Sequence, residues 1–467
     1  MTSTASHHEQ DQFDFVVIGA GPVGELFGHA VAAEGHSIAI VEHRLVGGDC
    51  AYYACKPSKA LLRPIEVANN TQHLSGVADT TIVADDLLAH RDAKVKHYDD
   101  NPQIETLEQA GLTVVRGHAR LAGECAVEVH GPDASIRHLR ATHGVVVTSG
   151  TTPNIPPVFE GVPVWDSKDA TAVKDVPTRL LIVGGGPVAC EAATWMTALG
   201  SKVTMLIRNG ELLAGFEPFV SDLLAEQLTQ AGVDIHFFTE ATQVRRPDGM
   251  DMGLGEVKGG PITVRTNTAE TFEAEELLLA TGRRPDLESL NFESIGLTVD
   301  DVLEDRTPDW LHTLGDASGK YRLTHMGKFQ ARQLVQRLLG KGPTSPDDAA
   351  PTTQVVFTDP QVAFVGHTEE SAREAGYNVK TAEADFAKVT GATLLRDDVV
   401  GKAKIVVDQA TNCLLGATLI GPETGEMLHA ATIAIAGQVP VDTLKLAVPV
   451  FPTASEIWLG LLSKLED

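Results

Sequence analysis

Two cysteines, Cys50 and Cys55, are separated by four residues in the segment GGDCAYYACKPSK. Pro57 and the apolar spacing that follows it predict a helix that begins at or just after Cys55. The free amide groups at a helix N-terminus, together with the charges of Lys56 and Lys59, lower the pKa of a thiol below its usual value of about 8.5. We therefore predict a redox-active pair in which Cys50 closes a disulfide with Cys55.

Buried structural thiols are the alternative interpretation of this pair. The flanking glycines, the two intervening tyrosines and the following lysines are unusual for a protein core, which favours the redox interpretation. A second Cys or His pair at metal-ligand spacing is missing, so the sequence predicts no metal site. The other three cysteines have no comparable context and are interpreted as structural: Cys125, Cys190 and Cys413.

Residues 14–44 have the pattern of a dinucleotide-binding unit: an apolar strand, a glycine-rich turn, a helix and a second apolar strand. Gly19, Gly21 and Gly24 form a GxGxxG motif, which lets a pyrophosphate approach the amides at the helix N-terminus. Glu42 ends the second strand, where a carboxylate can hold a ribose hydroxyl. The strand context and the placed acid argue against a turn that serves only to pack a helix on a strand.

Residues 179–208 repeat this unit without a gap, so we predict two dinucleotide sites. The positions of the three glycines are occupied by Gly184, Gly186 and Ala189. In place of the acid the second unit has Ile207, followed by Arg208. A missing acid and an adjacent guanidinium favour a 2′-phosphate, and so NADPH over NADH. A solvated surface charge is the alternative interpretation of Arg208.

Composition narrows the class of protein further. The chain has 467 residues, enough for roughly three domains, and its 43% hydrophobic content supports buried cores. A net charge of −26 disfavours nucleic acid as a partner. No stretch approaches the roughly 20 apolar residues of a membrane span, and the N-terminus lacks a signal pattern, so we expect a cytoplasmic protein.

The second half of the chain changes pattern. The segments ATGRRPDLESL and LHTLGDASG each follow an apolar strand and contain glycine turns, and a helix is predicted from Thr324 to Leu339. Residues 340–351 are rich in Gly, Pro and acids and are interpreted as a linker. The alternating runs beyond it predict an antiparallel sheet with helices packed on it.

Taken in order, these motifs resemble those of the class I flavoprotein disulfide reductases, the family of dihydrolipoamide dehydrogenase, glutathione reductase and mercuric reductase. The resemblance is carried by GAGPVGE, GGDCAYYACKPSK, TSG at 148–150, GGGPVACE, ATGRRP, LGDASG, LTH at 323–325, FTDP at 358–361 and FPTASE at 451–456. It implies an α/β fold with two Rossmann-like domains, for FAD and NAD(P)H, followed by an α+β dimerisation domain. It also implies a homodimer whose active sites are completed across the interface.

The implied boundaries are an FAD domain at 1–155 and 285–350, an NAD(P)H domain at 156–284 and an interface domain at 351–467. By position, Cys55 would contact the flavin, Cys50 would meet the acceptor, and Asp316 would hold the FAD ribityl chain. Lys59 and Glu191 match a pair found beside the flavin in relatives. Four more positions match cofactor-contacting ones: Gly48, Gly150, Gly282 and His325, the last with a packing role as the alternative.

Two positions depart from the family pattern. Pro187 stands where many relatives have a tyrosine over the nicotinamide side of the flavin. The C-terminal His-Pro-Thr motif reads Phe451-Pro452-Thr453 here, with Glu456 downstream. A phenyl ring cannot act as the general acid and base, an assistance typically worth 10²- to 10⁴-fold in rate. We therefore expect a small-molecule acceptor that needs little proton transfer: an activated disulfide, a quinone or a thiophilic metal ion.

Other functions remain open on the sequence alone. The chain resembles 2-ketopropyl-coenzyme M oxidoreductase/carboxylase in having Phe at the base position, so a carboxylase or lyase is one alternative. A non-catalytic, redox-sensing flavoprotein is another, although it would not need both the thiol pair and a nicotinamide domain. Tyr52 or Tyr53 could supply a proton in place of histidine, or could pack against the flavin.

Overall fold

The computed structural model describes residues 11–341 and 350–465. The polar N-terminal segment and most of the predicted linker at 340–351 lie outside these ranges. In chain order the strands are β1 Asp11–Ile18, β2 Ile38–Glu42, β3 Leu112–Arg116, β4 His118–Leu121, β5 Ala126–His130, β6 Ile136–Val147, β7 Thr151–Pro153, β8 Arg179–Val183, β9 Lys202–Leu206, β10 Asp234–His236, β11 Ala241–Arg245, β12 Ile262–Thr266, β13 Thr271–Ala274, β14 Glu276–Leu279, β15 Arg283–Pro285, β16 Leu311–Thr313, β17 Thr353–Val356, β18 Gln361–Gly366, β19 Val379–Asp385, β20 Lys402–Asp408 and β21 Leu414–Gly421.

The α-helices are named in the same way. They are α1 Pro22–Ala32, α2 Gly48–Tyr52, α3 Cys55–Gln72, α4 Ala84–Lys94, α5 Asn101–Gln109, α6 Ser167–Thr171, α7 Pro187–Ala198, α8 Pro218–Gln230, α9 Val299–Leu303, α10 Thr324–Leu339, α11 Glu369–Glu374, α12 Thr390–Thr393, α13 Thr424–Ala436, α14 Val441–Leu444 and α15 Ile457–Ser463. Within the described ranges, none of these helices is both long and apolar enough to cross a bilayer.

The chain divides into two compact units, of which the first is formed by Met1–Pro57, Asp92–Asn154 and Arg283–Ala349. Its main sheet has the strand order β3-β2-β1-β6-β5-β4, with β16 paired to β6. The pairs β1–β2, β2–β3, β1–β6 and β6–β16 are parallel, whereas β4–β5 and β5–β6 are antiparallel. Strands β7 and β15 form a separate two-stranded antiparallel sheet.

The centre of this sheet forms because its strands are almost continuously apolar. Phe15, Val16 and Val17 of β1 are buried on both faces, and every residue of β2 is buried. Runs of this kind are typical of parallel strands that are covered on both sides. Pro22 at the first position of α1 starts the helix directly after the glycine-rich turn, as predicted.

The second unit is formed by Ser58–Arg91, Ile155–Gly282 and Ala350–Asp467. It contains a parallel sheet of order β10-β9-β8-β14, a three-stranded antiparallel sheet β11-β12-β13, and a five-stranded sheet of order β17-β18-β21-β20-β19. The pairs in this last sheet are antiparallel, and α13 packs on its β18 and β21 strands. The predicted fold class, two dinucleotide-binding units followed by an α+β region, is confirmed.

A buried ion pair anchors β14 in the second unit. The Arg246 and Glu276 side chains are fully buried, and the Arg246 Nη1 atom lies 2.6 Å from the Glu276 Oε1 atom. The Glu276 carboxylate also accepts hydrogen bonds from the backbone amides of Lys258 and Leu277. Because each charge is paired and hydrogen-bonded, the pair fixes the strand that ends beside the second glycine-rich turn.

Candidate functional site

The two thiols lie on two helices that follow each other along the chain. Cys50 is in α2, and Cys55 is the first residue of α3, as the position of Pro57 predicted. Both cysteines are in the reduced form, and Cys55 is exposed whereas Cys50 is partly buried. The Cys55 sulfur lies 3.5 Å from the hydroxyl of Thr324 at the start of α10. A helix N-terminus therefore faces this sulfur, which favours its thiolate.

The Cys50 thiol is a weaker acid than an ordinary cysteine. A hydrogen bond to Cys55, burial and the neighbouring Cys55 charge raise the pKa of the Cys50 thiol well above its usual range. Cys50 therefore needs a base before it can attack an acceptor.

Arg283, which carries no catalytic or nucleotide-binding signature of its own in the sequence, lies next to α2. The Arg283 guanidinium donates to the Asp49 carboxylate (3.0 Å), to the Thr151 backbone carbonyl (2.6 Å) and to the Thr151 hydroxyl (2.7 Å). The Thr151 hydroxyl in turn lies 3.5 Å from the Asp316 carboxylate. Burial raises the pKa of Asp316, although the Arg283 charge opposes the shift. The GRRP motif at 282–285 was the only sequence signal for this network.

Tyr52 and Tyr53 belong to an aromatic cluster. Tyr53 stacks on Tyr98 with ring centroids 5.7 Å apart, and Tyr52 is buried with its hydroxyl donating to the Asp99 carbonyl at 3.3 Å. Burial raises the pKa of Tyr52 to about 12 and also raises that of Tyr53. A phenol with a raised pKa and an engaged hydroxyl is a poor proton donor, so the structure favours a packing role for Tyr52.

The first glycine-rich turn fits a pyrophosphate. A Cβ atom on Gly19 would lie 2.4 Å from the Thr148 carbonyl oxygen, so this glycine allows the turn to cross the end of β6. A Cβ atom on Gly21 would meet open space, and Gly21 caps α1 without a side-chain hydrogen bond. The amides at the start of α1 are thus open to an anionic ligand. Glu42 is buried, and its carboxylate accepts from the amides of Ala20 (2.9 Å) and Arg44 (2.7 Å).

The second turn has the same construction. A Cβ atom on Gly184 would lie 2.4 Å from the Ala280 carbonyl oxygen, whereas a Cβ atom on Gly186 would meet open space at the start of α7. Ala189 and Ile207 are buried, and Arg208 is exposed just beyond the end of β9. Both turns therefore have the shape and the free amides that a dinucleotide pyrophosphate requires.

The structure brings Lys59 and Glu191 together in the second unit. The Lys59 ammonium lies 2.8 Å and 3.0 Å from the two Glu191 carboxylate oxygens. The same carboxylate accepts a hydrogen bond from the Phe357 amide at 2.9 Å, and the ammonium lies 4.7 Å from the centre of the Phe357 ring. Glu191 therefore compensates the Lys59 charge.

Phe451 ends an exposed apolar stretch. The exposed fractions of Leu446, Val448, Val450 and Phe451 are 79%, 76%, 73% and 69% in a single chain, which is typical of a surface that a protein partner covers. Glu456 has a local role in this structure. Its carboxylate accepts from the amides of Thr453 and Gly391, each at 3.3 Å, and so caps the turn Ala454–Glu456.

The remaining predicted positions are distributed around the first turn and the strand ends. A Cβ atom on Gly48 would lie 2.7 Å from the Gly21 Cα atom, and one on Gly24 would lie 2.2 Å from the Gly19 carbonyl oxygen. Gly150 follows β6, Gly282 precedes β15, and His325 is the second residue of α10.

Glu25 in α1 makes the stability of the first unit depend on pH. Burial raises the pKa of Glu25 to about 7, against a hydrogen bond from Gln103. A raised carboxyl pKa means that the folded state keeps a proton that the unfolded state releases, so stability falls as pH rises from about 4.5 to 7. Glu25→Gln should therefore raise the unfolding free energy at pH 8 by roughly 1 to 3 kcal/mol and change it little at pH 4.5.

Urea unfolding of FAD-loaded protein at the two pH values measures this effect. Replacing the exposed Glu105 on α5 by glutamine is the matched control and should leave the pH dependence unchanged. Parallel pH profiles for the wild type and the Glu25→Gln variant would contradict the prediction.

Comparisons with known proteins agree with this geometry. Residues 13–330 match the family described as "Pyridine nucleotide-disulphide oxidoreductase", and residues 352–460 match its dimerisation domain. The dimerisation-domain match supports a homodimer.

Relatives of known name cover almost the whole chain. A mercuric reductase from Staphylococcus aureus is 28% identical over 95% of this chain and 80% of its own length. A dihydrolipoyl dehydrogenase from Thermus scotoductus is 31% identical over 97% of both chains. The Cu(II) complex of the HOCl-induced flavoprotein disulfide reductase RclA from Escherichia coli superposes with a TM-score of 0.84 at 25% identity, covering 98% of this chain and all of that chain. The chain therefore belongs to the pyridine nucleotide-disulphide oxidoreductase family, the FAD- and NAD(P)H-dependent flavoprotein oxidoreductases that act on disulfides or related acceptors.

Proposed function

We propose that the protein passes electrons from NADPH through FAD to the Cys50–Cys55 pair, and from the pair to a small-molecule acceptor without a histidine base. The observation that carries this proposal is the combination of an exposed Cys55 sulfur, 3.5 Å from the Thr324 hydroxyl at the start of α10, with Phe451 at the base position. When bound, FAD takes a hydride from the nicotinamide and supplies the electron pair that opens the disulfide. The distinguishing step is therefore the transfer from the thiols to the acceptor.

Among acceptors, a thiophilic metal ion fits this site best. A soft ion binds thiolates directly and displaces the Cys50 proton on coordination, so no separate base is needed. One NADPH then reduces two Cu(II) ions to Cu(I) while the pair returns to the disulfide. The Cu(II) complex of RclA and the mercuric reductases among the relatives support this choice. A disulfide with an acidic leaving thiol, or a quinone, also needs little help from an added acid or base. Neither of them binds the Cys50 sulfur and displaces its proton as a metal ion does.

The roles of the other residues follow from the same proposal. Asp316 and Glu42 hold the FAD ribityl chain and ribose, and the turns at Gly21 and Gly186 bind the two pyrophosphates. Lys59 and Glu191 match a pair that stands beside the flavin in relatives. The domains are 1–155 with 285–350 for FAD, 156–284 for NAD(P)H and 351–467 for the interface. In the homodimer, the exposed stretch that ends at Phe451 lies against the partner subunit and completes the partner's thiol site.

Anaerobic titration of the FAD-loaded protein with NADPH tests the electron path. The first equivalent of NADPH should produce a long-wavelength charge-transfer band between the Cys55 thiolate and the reoxidised flavin, and excess NADPH should bleach the flavin absorption. Cys55→Ser should lose the band but keep the bleaching, and Cys190→Ser is the matched control with a buried thiol. Mixing the reduced protein with Cu(II) should yield two Cu(I) per NADPH, measured with a Cu(I)-selective chelator. A wild-type protein that bleaches without the band would overturn the role of Cys55.

Arg208 should set the nucleotide preference. Because a guanidinium–phosphate contact is worth about 1.5 kcal/mol or more, Arg208→Ala should lower kcat/KM for NADPH about tenfold and leave that for NADH almost unchanged. Arg179→Ala, which removes another exposed arginine of the same unit at the start of β8, is the control. Equal losses with both nucleotides would show that Arg208 is only a surface charge.

A further inference from the structure

A carboxylate and two imidazoles meet at the edge of the first unit's sheet that is opposite to the glycine-rich turn. Asp14 lies in β1, His36 precedes β2, and His143 lies in β6. One potential ligand atom of each residue lies within 4.8 Å of those of the other two. The group is the only one of this kind within the described residues, and neither the redox site nor the nucleotide turns use it.

The distances are close to those of ligands that share one ion. The His36 Nδ1 atom lies 3.5 Å from the Asp14 Oδ2 atom, and the His143 Nδ1 atom lies 3.2 Å from the Asp14 Oδ1 atom. Two ligands placed about 2.1 Å from a tetrahedral Zn²⁺ ion are separated by roughly 3.4 Å. Both His–Asp distances are therefore compatible with ligands of one ion, and one nitrogen of each imidazole lies within 4.8 Å of the other.

The backbone of β6 brings His143 to this position. The pairing of β1 with β6 shifts register between Phe13 and Phe15, so the single residue Asp14 in β1 faces two residues, Thr142 and His143, in a bulge of β6. A bulge redirects side chains out of the regular alternation of its strand, and bulges are concentrated near functional sites. The bulge therefore places both Thr142 and His143 beside the Asp14 carboxylate.

Neighbouring groups hold the three side chains in place. The Asp14 carboxylate accepts from the Ser37 amide (2.9 Å), the Ser37 hydroxyl (3.2 Å) and the Thr142 hydroxyl (3.1 Å), and these bonds lower the pKa of Asp14. The Phe15 ring lies 5.6 Å from the His36 ring and 5.5 Å from the His143 ring. Hydrogen-bonded carboxylates and oriented imidazoles are the usual surroundings of a metal site.

We propose that Asp14, His36 and His143 bind one divalent zinc-class metal ion, with water at the remaining coordination position. Two imidazoles and one carboxylate with an open position form a frequent zinc ligand set. The ion would join β1, β6 and the residues that lead into β2, and so would stabilise the sheet that carries the first glycine-rich turn. This proposal does not depend on the proposed function, because no ligand belongs to the redox site.

Isothermal titration of the full-length, FAD-loaded, oxidised enzyme with ZnCl₂ tests the proposal. All proteins carry His7→Ala and His8→Ala, which removes an adjacent histidine pair that would compete for zinc. The parent should bind one zinc per chain, and His36→Ala, His143→Ala and Asp14→Asn should each weaken binding at least tenfold. Zinc should also raise the melting temperature of the parent but not that of His143→Ala.

His130 and His138, which flank Glu128 on β5 and β6, provide the matched control. The Glu128 carboxylate lies 2.6 Å from His130 and 3.9 Å from His138, yet the three do not converge as a ligand group. The double variant His130→Ala/His138→Ala should bind zinc as the parent does. Asp14→Asn also removes hydrogen bonds to Ser37 and so changes the local fold. His143→Ala replaces the most exposed of the three ligands, and its zinc affinity therefore separates loss of a ligand from loss of folding. No zinc binding by the parent, or unchanged binding by the His36 and His143 variants, would overturn the proposal.

Discussion

Phe451→His is expected to raise the rate of NADPH-dependent reduction of a simple aliphatic disulfide by about 10²-fold, within the range that general acid–base catalysis supplies. The imidazole would take the proton that the raised pKa keeps on Cys50. Phe451 is 69% exposed in the single chain, so its replacement removes little intrachain packing. Steady-state rates at pH values on both sides of 6.5, the usual pKa of histidine, measure the gain, which should be larger on the alkaline side.

Phe451→Leu tests whether the gain in Phe451→His comes from proton transfer or only from removal of the phenyl ring. Leucine keeps the position apolar and unable to transfer protons, so this variant should show no gain with simple disulfides. The rate of Cu(II) reduction should change less than the disulfide rate in Phe451→His, because metal coordination displaces the Cys50 proton directly. If histidine brings no gain at any pH, the missing base is not what limits exchange.

Cys50→Ser should reduce turnover with thiol-dependent acceptors to about one hundredth or less, while NADPH still reduces the flavin. A serine hydroxyl is neither acidic enough nor nucleophilic enough to replace a thiolate at neutral pH. The Cys55 thiol remains, so the charge-transfer band should still form when the flavin is fully oxidised. Stopped-flow flavin reduction and steady-state turnover with Cu(II) and an aromatic disulfide separate the two half-reactions.

Cys125→Ser is the control for this variant, because it replaces another partly buried thiol of the first unit. It should retain both half-reactions. Full turnover of Cys50→Ser with every acceptor would mean that acceptors take electrons directly from the flavin. That result would remove the thiol pair from the electron path and would not affect the assignment of the two nucleotide sites.

Features encoded by local patterns were predicted correctly from the sequence. The helix from Thr324 to Leu339 has the predicted ends, and both glycine-rich turns lead into helices that begin with a proline. The position of Cys55 at a helix start also follows from local residues. In contrast, β19 has little local strand signal, because its sequence VKTAEAD has weak strand preference and the strand forms by pairing along β20.

Features assembled from distant residues could not be predicted. Arg283 joins Asp49 and Thr151 across long stretches of chain, and its motif reads locally as a turn. The group of Asp14, His36 and His143 depends on the register of β1 and β6 and on a bulge, neither of which leaves a sequence motif. The structural role of Glu456 as a turn cap was equally hidden, because it depends on the position of the Gly391 amide, 65 residues earlier in the chain.

The two glycine-rich turns also constrain how such motifs persist during evolution. Gly19 and Gly184 are required by the close passage of a neighbouring strand end, whereas Gly21 and Gly186 face open space. A descendant protein that no longer bound nucleotides would therefore keep the first glycine of each motif, because folding requires it. The second glycine would be replaced by other residues. In this fold, the second glycine is the better marker of retained nucleotide binding.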